Sequence, residues 1–141
     1  MSERLNEVKY TKNVGLAHED TRRALYDPER LSEGLSYSFV PNNIIAISQD
    51  GLELGKHFHD YHEFFFTPTG EFDMRLVDMT DLQTARYTLK KGDRLFIPQG
   101  IGHIVTGRRG DVLMCFGTVP FDPKRLIPCS KEALEKLVSM A

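Results

Sequence analysis

The chain has 141 residues, 18 basic and 20 acidic, with five histidines and a formal net charge of −2. That length suits one domain with a full core, and the near-balanced charge gives no electrostatic reason to expect nucleic acid. No apolar stretch approaches the roughly 18 residues of a membrane-spanning helix, and Cys115 and Cys129 lack the spacing of a disulfide framework.

Residues 1–10 are polar and hold no apolar signal-peptide core, so a cytoplasmic location is the default expectation. Over residues 16–35 the pattern predicts short helices broken near Pro28, with Leu16, Ala17, Ala24 and Leu25 along one face. His18 in this segment reads as a surface histidine. From residue 36 onward the signals are those of strands and turns. Residues 35–40 and 44–48 are rich in β-formers, and Pro41-Asn42-Asn43 reads as the turn between them. Residues 53–59 lead into a histidine-bearing block. Residues 63–67 form a strand, ended by Pro68 and Gly70, with residues 72–78 as its hairpin partner. Residues 84–89 alternate with period two, the mark of a half-buried strand. Lys91-Gly92-Asp93 turns the chain, and residues 94–97, 103–106 and 112–118 complete the strands. The Lys90-Lys91 and Arg108-Arg109 pairs read as solvated turns. Cys115, in an apolar run, reads as a buried thiol. Ser130 is placed to cap a closing helix over 131–140 with Leu134 and Leu137 as its apolar stripe. Short strands with turns every 8 to 12 residues indicate an all-β sandwich or barrel.

Two blocks within this pattern carry chemistry. The first runs Gly51, five residues, His57-Phe58-His59, three residues, Glu63, six residues, Gly70. The second runs Gly92, five residues, Pro98-Gln99-Gly100, two residues, His103. His57, His59, Glu63 and His103 are residue types that ligate a divalent transition metal. His57 and His59 are two apart, so a strand points both to one face. Glu63 follows after a short turn and His103 lies on a later strand, so an antiparallel barrel would gather all four.

Both blocks resemble the two sequence motifs of the cupin family. The first matches at every fixed position, and the second departs only where the pattern ends in Asn and this chain has Gly107. The resemblance spans about residues 40 to 119 and implies a cupin-type jelly-roll β-barrel. The expected organisation is a helical or irregular extension over 1–35, the barrel over 36–128 and a helix over 129–141, all within one domain. The resemblance also implies a metal site at His57, His59, Glu63 and His103. Such a donor set leaves one or two coordination positions open and suits Fe(II), Zn, Mn, Ni or Co.

Around those ligands the sequence offers further candidates. Phe65 alternates with Glu63 and is expected to line the cavity. Phe64 and Phe66 then pack outward, against the N-terminal segment or a second subunit, which motivates the expectation of a homodimer. Arg75 is the candidate substrate anchor, weighed against a solvent-facing arginine paired with Asp73 or Glu71. Tyr61 and Gln99, in turns beside ligands, are candidates to gate the mouth; Arg86 and Arg94 are weaker candidates. His62, Tyr61 or an unligated His59 could supply a base if the turn folded inward, although His62, adjacent to Glu63, is expected to face the other side.

Fold alone does not name a reaction, and three classes stay open. One is an Fe(II) dioxygenase acting on a small polar or anionic metabolite; the strand pair over 63–74 is distantly similar to that of 3-hydroxyanthranilate-type dioxygenases. Another is a non-oxidative isomerase or epimerase of a sugar nucleotide or keto sugar; the tail from Val112 through Pro120-Phe121-Asp122-Pro123 loosely resembles that of cupin ketoisomerases. The third is a small-molecule-binding cupin without turnover. The ligand set places the dioxygenase first by a thin margin.

Overall fold

The strand signals after residue 40 are realised as two antiparallel sheets laid face to face. The computed structural model describes residues 3–140. Residues 1, 2 and 141, the outer ends of the expected terminal segments, lie outside them. In chain order the strands are β1 Lys9–Thr11, β2 Leu16–Glu19, β3 Ala24–Tyr26, β4 Val40–Ala46, β5 Leu54–Phe58, β6 Glu63–Thr69, β7 Glu71–Asp78, β8 Thr84–Lys90, β9 Arg94–Ile97, β10 Ile101–Thr106, β11 Val112–Gly117 and β12 Ile127–Pro128, followed by helix α1, Lys131–Ser139. Among the described residues one sheet has the order β1-β9-β6-β11-β4 and the other β12-β5-β10-β7-β8, with β2 and β3 forming a separate hairpin. No helix among the described residues is long and apolar enough to cross a membrane.

Alternation within the strands builds the core between the sheets. Phe65, Leu95, Ile97, Leu113 and Cys115 project inward from one sheet, and Phe72, Met74, Leu76, Leu89, Ile101 and Val105 meet them from the other. Burying each large apolar side chain is worth about 1.5–3 kcal/mol relative to exposure. The outer face of each sheet is covered as well. Phe64, Phe66, Phe96 and Phe116 pack under Val14, Tyr26, Leu31, Leu35 and Phe39 of the N-terminal segment. Val77 and Ile104 pack under Ala133, Leu134 and Leu137 of α1. Phe64 and Phe66 are thus covered by their own chain, and the apolar pair gives no reason to invoke a second subunit.

Four local readings are corrected. The segment expected as short helices is instead the β2–β3 hairpin followed by a 3₁₀ turn at Pro28–Arg30. Its strands are too short for periodicity to separate a strand from a helical face. Pro41-Asn42-Asn43 is no turn; it lies within β4, an edge strand, where a missing proline N–H costs no ladder bond. Residues 35–40 are accordingly not a strand of their own. β7 pairs with β8 and β10 and not with β6, because the chain changes sheets between β6 and β7.

That crossing happens at Gly70, whose φ is +86°. A Cβ there would overlap the Asp111 carboxylate, which accepts the backbone N–H groups of Glu71 and Arg108. Gly70→Ala is therefore expected to lower stability by about 1–3 kcal/mol, read as a lower urea midpoint at unchanged slope. An unchanged midpoint would show that the corner tolerates a side chain.

The closing helix starts as expected: Ser130 Oγ accepts the Ala133 N–H at 3.2 Å. It also explains Arg75. On β7, Phe72, Met74 and Leu76 face the core, so Arg75 faces out toward α1. Only 3% exposed, it donates to the Leu137 carbonyl (3.0 Å) and to Glu53 (2.8 Å). The expectation of a barrel-interior substrate anchor is corrected: Arg75 ties α1 to the sheet. Arg94 does similar work for the N-terminal segment, donating to the carbonyls of Leu31 and Glu33. Arg86 is exposed and paired with Asp73 and the Met140 carbonyl.

Candidate active site

The two sheets part at one end around a cavity of about 240 Å³. His57 on β5, His59 just beyond it, Tyr61 in the following turn, Glu63 at the start of β6 and His103 on β10 all line it. His57 and His103 are direct cross-strand partners in the β5–β10 ladder. A register shift follows at once, with Gly55 opposite Ile104, which leaves Lys56 as the extra residue at φ +64°. Bulges of this kind re-aim side chains beside functional sites. Gly55 permits it: a Cβ there would stand 2.7 Å from the His103 carbonyl oxygen.

The rings of His57 and His59 lie 4.8 Å apart, as do those of His57 and His103. One nitrogen from each of the three falls within 4.8 Å of the others. Glu63 completes the cluster, with Oε2 3.3 Å from His59 Nε2 and Oε1 3.6 Å from His103 Nδ1. His59, Glu63 and His103 are only 6%, 4% and 3% exposed. The spacing read from sequence therefore does bring the four residues together.

Burial sets their protonation. It pushes the His103 pKa down to about 4, the Glu63 charge only partly opposing it. Burial, with His59 adding to it, also lowers His57. For Glu63 burial works upward, but hydrogen bonding to His59 and the other imidazoles outweigh it and hold the carboxyl below its ordinary range. Near neutral pH His57 and His103 are thus neutral beside a Glu63 carboxylate, the protonation state in which these groups bind a cation. His59 Nδ1 and His103 Nδ1 are buried without a hydrogen-bond partner, and buried polar atoms are rarely left so. These residues fit a divalent transition metal. His59→Ala and His103→Ala are each expected to lose most bound metal while keeping a β-rich circular dichroism spectrum. Metal content unchanged in both would remove the assignment.

Tyr61 stacks on His59 at 4.6 Å between ring centres, under the Arg125 guanidinium, which is paired with Asp60 at 2.9 Å. Burial first, then the Glu63 charge, push its phenol up to about 12. Phe65 lines the cavity edge-on to His103. His62 faces away, as adjacency to Glu63 predicts: its Nδ1 accepts the Gln99 N–H and its ring packs on Tyr37. The proposal of His62 as a base is thus corrected. Gln99 meets it through the backbone, and its side chain does not line the cavity. Sequence reasoning missed Asn42, Asn43, Ile45, Leu54, Val105, Phe121 and Leu126 in the wall. Cys115, read as a buried thiol, also lines it.

No protein-family model matches the chain, and no curated protein matches it in sequence. Solved structures do. A double mutant of the QdtA 3,4-ketoisomerase from Thermoanaerobacterium thermosaccharolyticum, in complex with TDP, superposes with a TM-score of 0.74 at 16% identity, covering 99% of this chain and 98% of that one.

The fold is a cupin-type jelly roll.

Another QdtA mutant from the same organism, in complex with TDP-4-keto-6-deoxyglucose, gives a TM-score of 0.65 at 14% identity over 99% and 97% of the two chains. The dTDP-4-dehydrorhamnose 3,5-epimerase of Bacillus anthracis, with TDP and pyrophosphate bound, gives 0.69 at 18% identity over 89% and 80%. At these identities the likeness establishes the fold. The activities named belong to those proteins, and they lend the dioxygenase reading no support.

Proposed function

We propose that the chain is a non-oxidative enzyme that moves a proton beside the carbonyl of a nucleotide-linked keto sugar, as an isomerase or epimerase. The observation that carries this reading is the joint lining of one small cavity by a neutral His57 and a protonated Tyr61. The likeness to ketoisomerases along nearly the whole of both chains supports it.

His57 suits the role of base. It is the least buried of the three histidines. Its Nδ1 lies 3.1 Å from the Gly55 carbonyl oxygen, which can only accept, so Nδ1 carries the proton and Nε2 keeps a free lone pair. In the proposed step His57 Nε2 takes a proton from the carbon next to the carbonyl. The C–H pair becomes a C=C bond, and the carbonyl oxygen takes the charge as an enolate. Tyr61, protonated far above neutral pH, can donate to that oxygen or return a proton to carbon. Return to the neighbouring carbon, after the hydroxyl proton shifts, yields the isomer; return to the opposite face yields the epimer. Atoms and electrons balance without an oxidant.

A divalent cation held by His57, His59, Glu63 and His103 would polarise the substrate carbonyl. A cation-bound His57 has no free lone pair, so ligand and base are exclusive roles for it. One experiment addresses both points. The chelator-treated protein is incubated with TDP-4-keto-6-deoxyglucose in D2O without oxygen. Deuterium appearing beside the carbonyl supports the reaction and the base role together. Exchange only after a metal is restored makes His57 a ligand. No exchange in either condition overturns the reading, and so does turnover that appears only in a parallel incubation with O2 admitted.

A further inference from the structure

Asn42, in the stretch read as a turn, lines the cavity. Strand β4 is the edge of its sheet and pairs with β11. Pro41 pairs with Phe116 and Asn43 with Cys115, so Asn42 is the extra residue of a bulge. In an unbroken strand alternate residues share a face, and Asn43 and Ile45 do line the cavity. Asn42 would then point the other way. The bulge turns it inward, and it too lines the cavity.

Two further observations concern the amide itself. Asn42 Oδ1 is buried and has no hydrogen-bond partner among the described residues. And Gly117, at the end of β11, leaves room for it: a Cβ there would overlap the Asn42 amide and stand 3.0 Å from the Tyr61 ring. The missing side chain lets amide and phenol ring sit side by side. A carboxamide presents a donor and an acceptor together, and a sugar hydroxyl both donates and accepts. An amide with an unpaired acceptor, its Nδ2 beside the ring of the group assigned to proton transfer, is matched to a hydroxyl next to the reacting carbon.

We propose that Asn42 is a substrate-binding residue that anchors a ring hydroxyl of the sugar beside Tyr61. The assignment rests on the isomerase reading for its ligand class and on the bulge for its geometry. The acceptor has no partner in the free protein, so removing it weakens binding without weakening the fold.

The test is calorimetric titration of wild type and Asn42→Leu with TDP-4-keto-6-deoxyglucose, with melting temperatures of both. The expected result is binding weakened by about tenfold, the loss of one buried hydrogen bond, with a melting temperature unchanged or raised. Binding within twofold of wild type overturns the anchor and leaves the isomerase reading standing. A melting temperature lowered together with binding marks a structural role and also overturns it. If wild type does not bind the nucleotide sugar, the isomerase reading fails. The anchor is then judged from the side-chain amide 1H–15N signal of Asn42, identified by its absence in the variant, during titration with D-glucose. A shift retains it, and an unmoved signal overturns it.

Discussion

Replacing His57 with asparagine is expected to lower kcat on TDP-4-keto-6-deoxyglucose by about 10²–10⁴-fold, the usual worth of a positioned general base. Asparagine can keep a polar group near the Gly55 carbonyl but cannot accept a proton from carbon at neutral pH. His57 is half-buried and its neighbours in the cluster, His59 and His103, stay in place, so KM and the circular dichroism spectrum are expected to change little. The pH profile supplies a second readout. Burial and His59 lower the His57 pKa below its ordinary 6.5, so the acidic limb of kcat/KM should fall below that value. Tyr61 stays protonated to about 12, so no alkaline loss from it is expected near neutrality. Activity retained within tenfold in the variant would remove His57 as the base. Loss of metal in parallel with activity would make it a ligand instead.

Acid is expected to destabilise the metal-free protein well before its carboxylates titrate. His103 is neutral in the fold, with a pKa of about 4 against an ordinary 6.5. Between those values the unfolded chain binds the proton that the folded chain refuses, so stability falls as pH falls through that window. At 1.36 kcal/mol per unit the full loss is about 3 kcal/mol, and about 2 kcal/mol of it is reached by pH 4.5. His57, lowered for the same reason, acts in the same direction. Glu63 has the opposite chemistry and the same outcome. Its folded pKa is depressed, so its contribution is present above the ordinary carboxylate range and is lost as pH falls through the folded value. Urea midpoints at pH 7 and pH 4.5 measure the sum, and His103→Gln should shrink the difference. Equal midpoints in the native protein would show that His103 is protonated inside the fold.

Local chemistry made much of the barrel legible. The alternation over residues 84–89 names a strand because its period is two, and it runs as β8. Ser130 followed by an apolar pair four and seven residues on names a capped helix. The histidine cluster was legible in part: residues two apart in extended chain point the same way, although His59 lies just past the end of β5. Other readings failed where two elements had to meet. Alternation sets Arg75 with Asp73 and Val77, but which face of β7 is inside depends on the opposing sheet and on α1. Glu63–Thr69 and Glu71–Asp78 look like a hairpin locally, yet the Gly70 corner sends them to different sheets.

From the sequence alone followed the all-β class, the strands that carry His57, Glu63 and His103, and the cap of the last helix. Each is a property of neighbours within a few residues, where backbone period and turn chemistry act. Only the tertiary structure decided that the N-terminal hairpin covers Phe64 and Phe66, that Arg75 belongs to the α1 interface, and that a bulge opposite β11 turns Asn42 into the cavity. Those outcomes depend on pairings between residues up to about 75 positions apart, as Asn42 and Gly117 are, and no local pattern encodes which faces such pairings will bury.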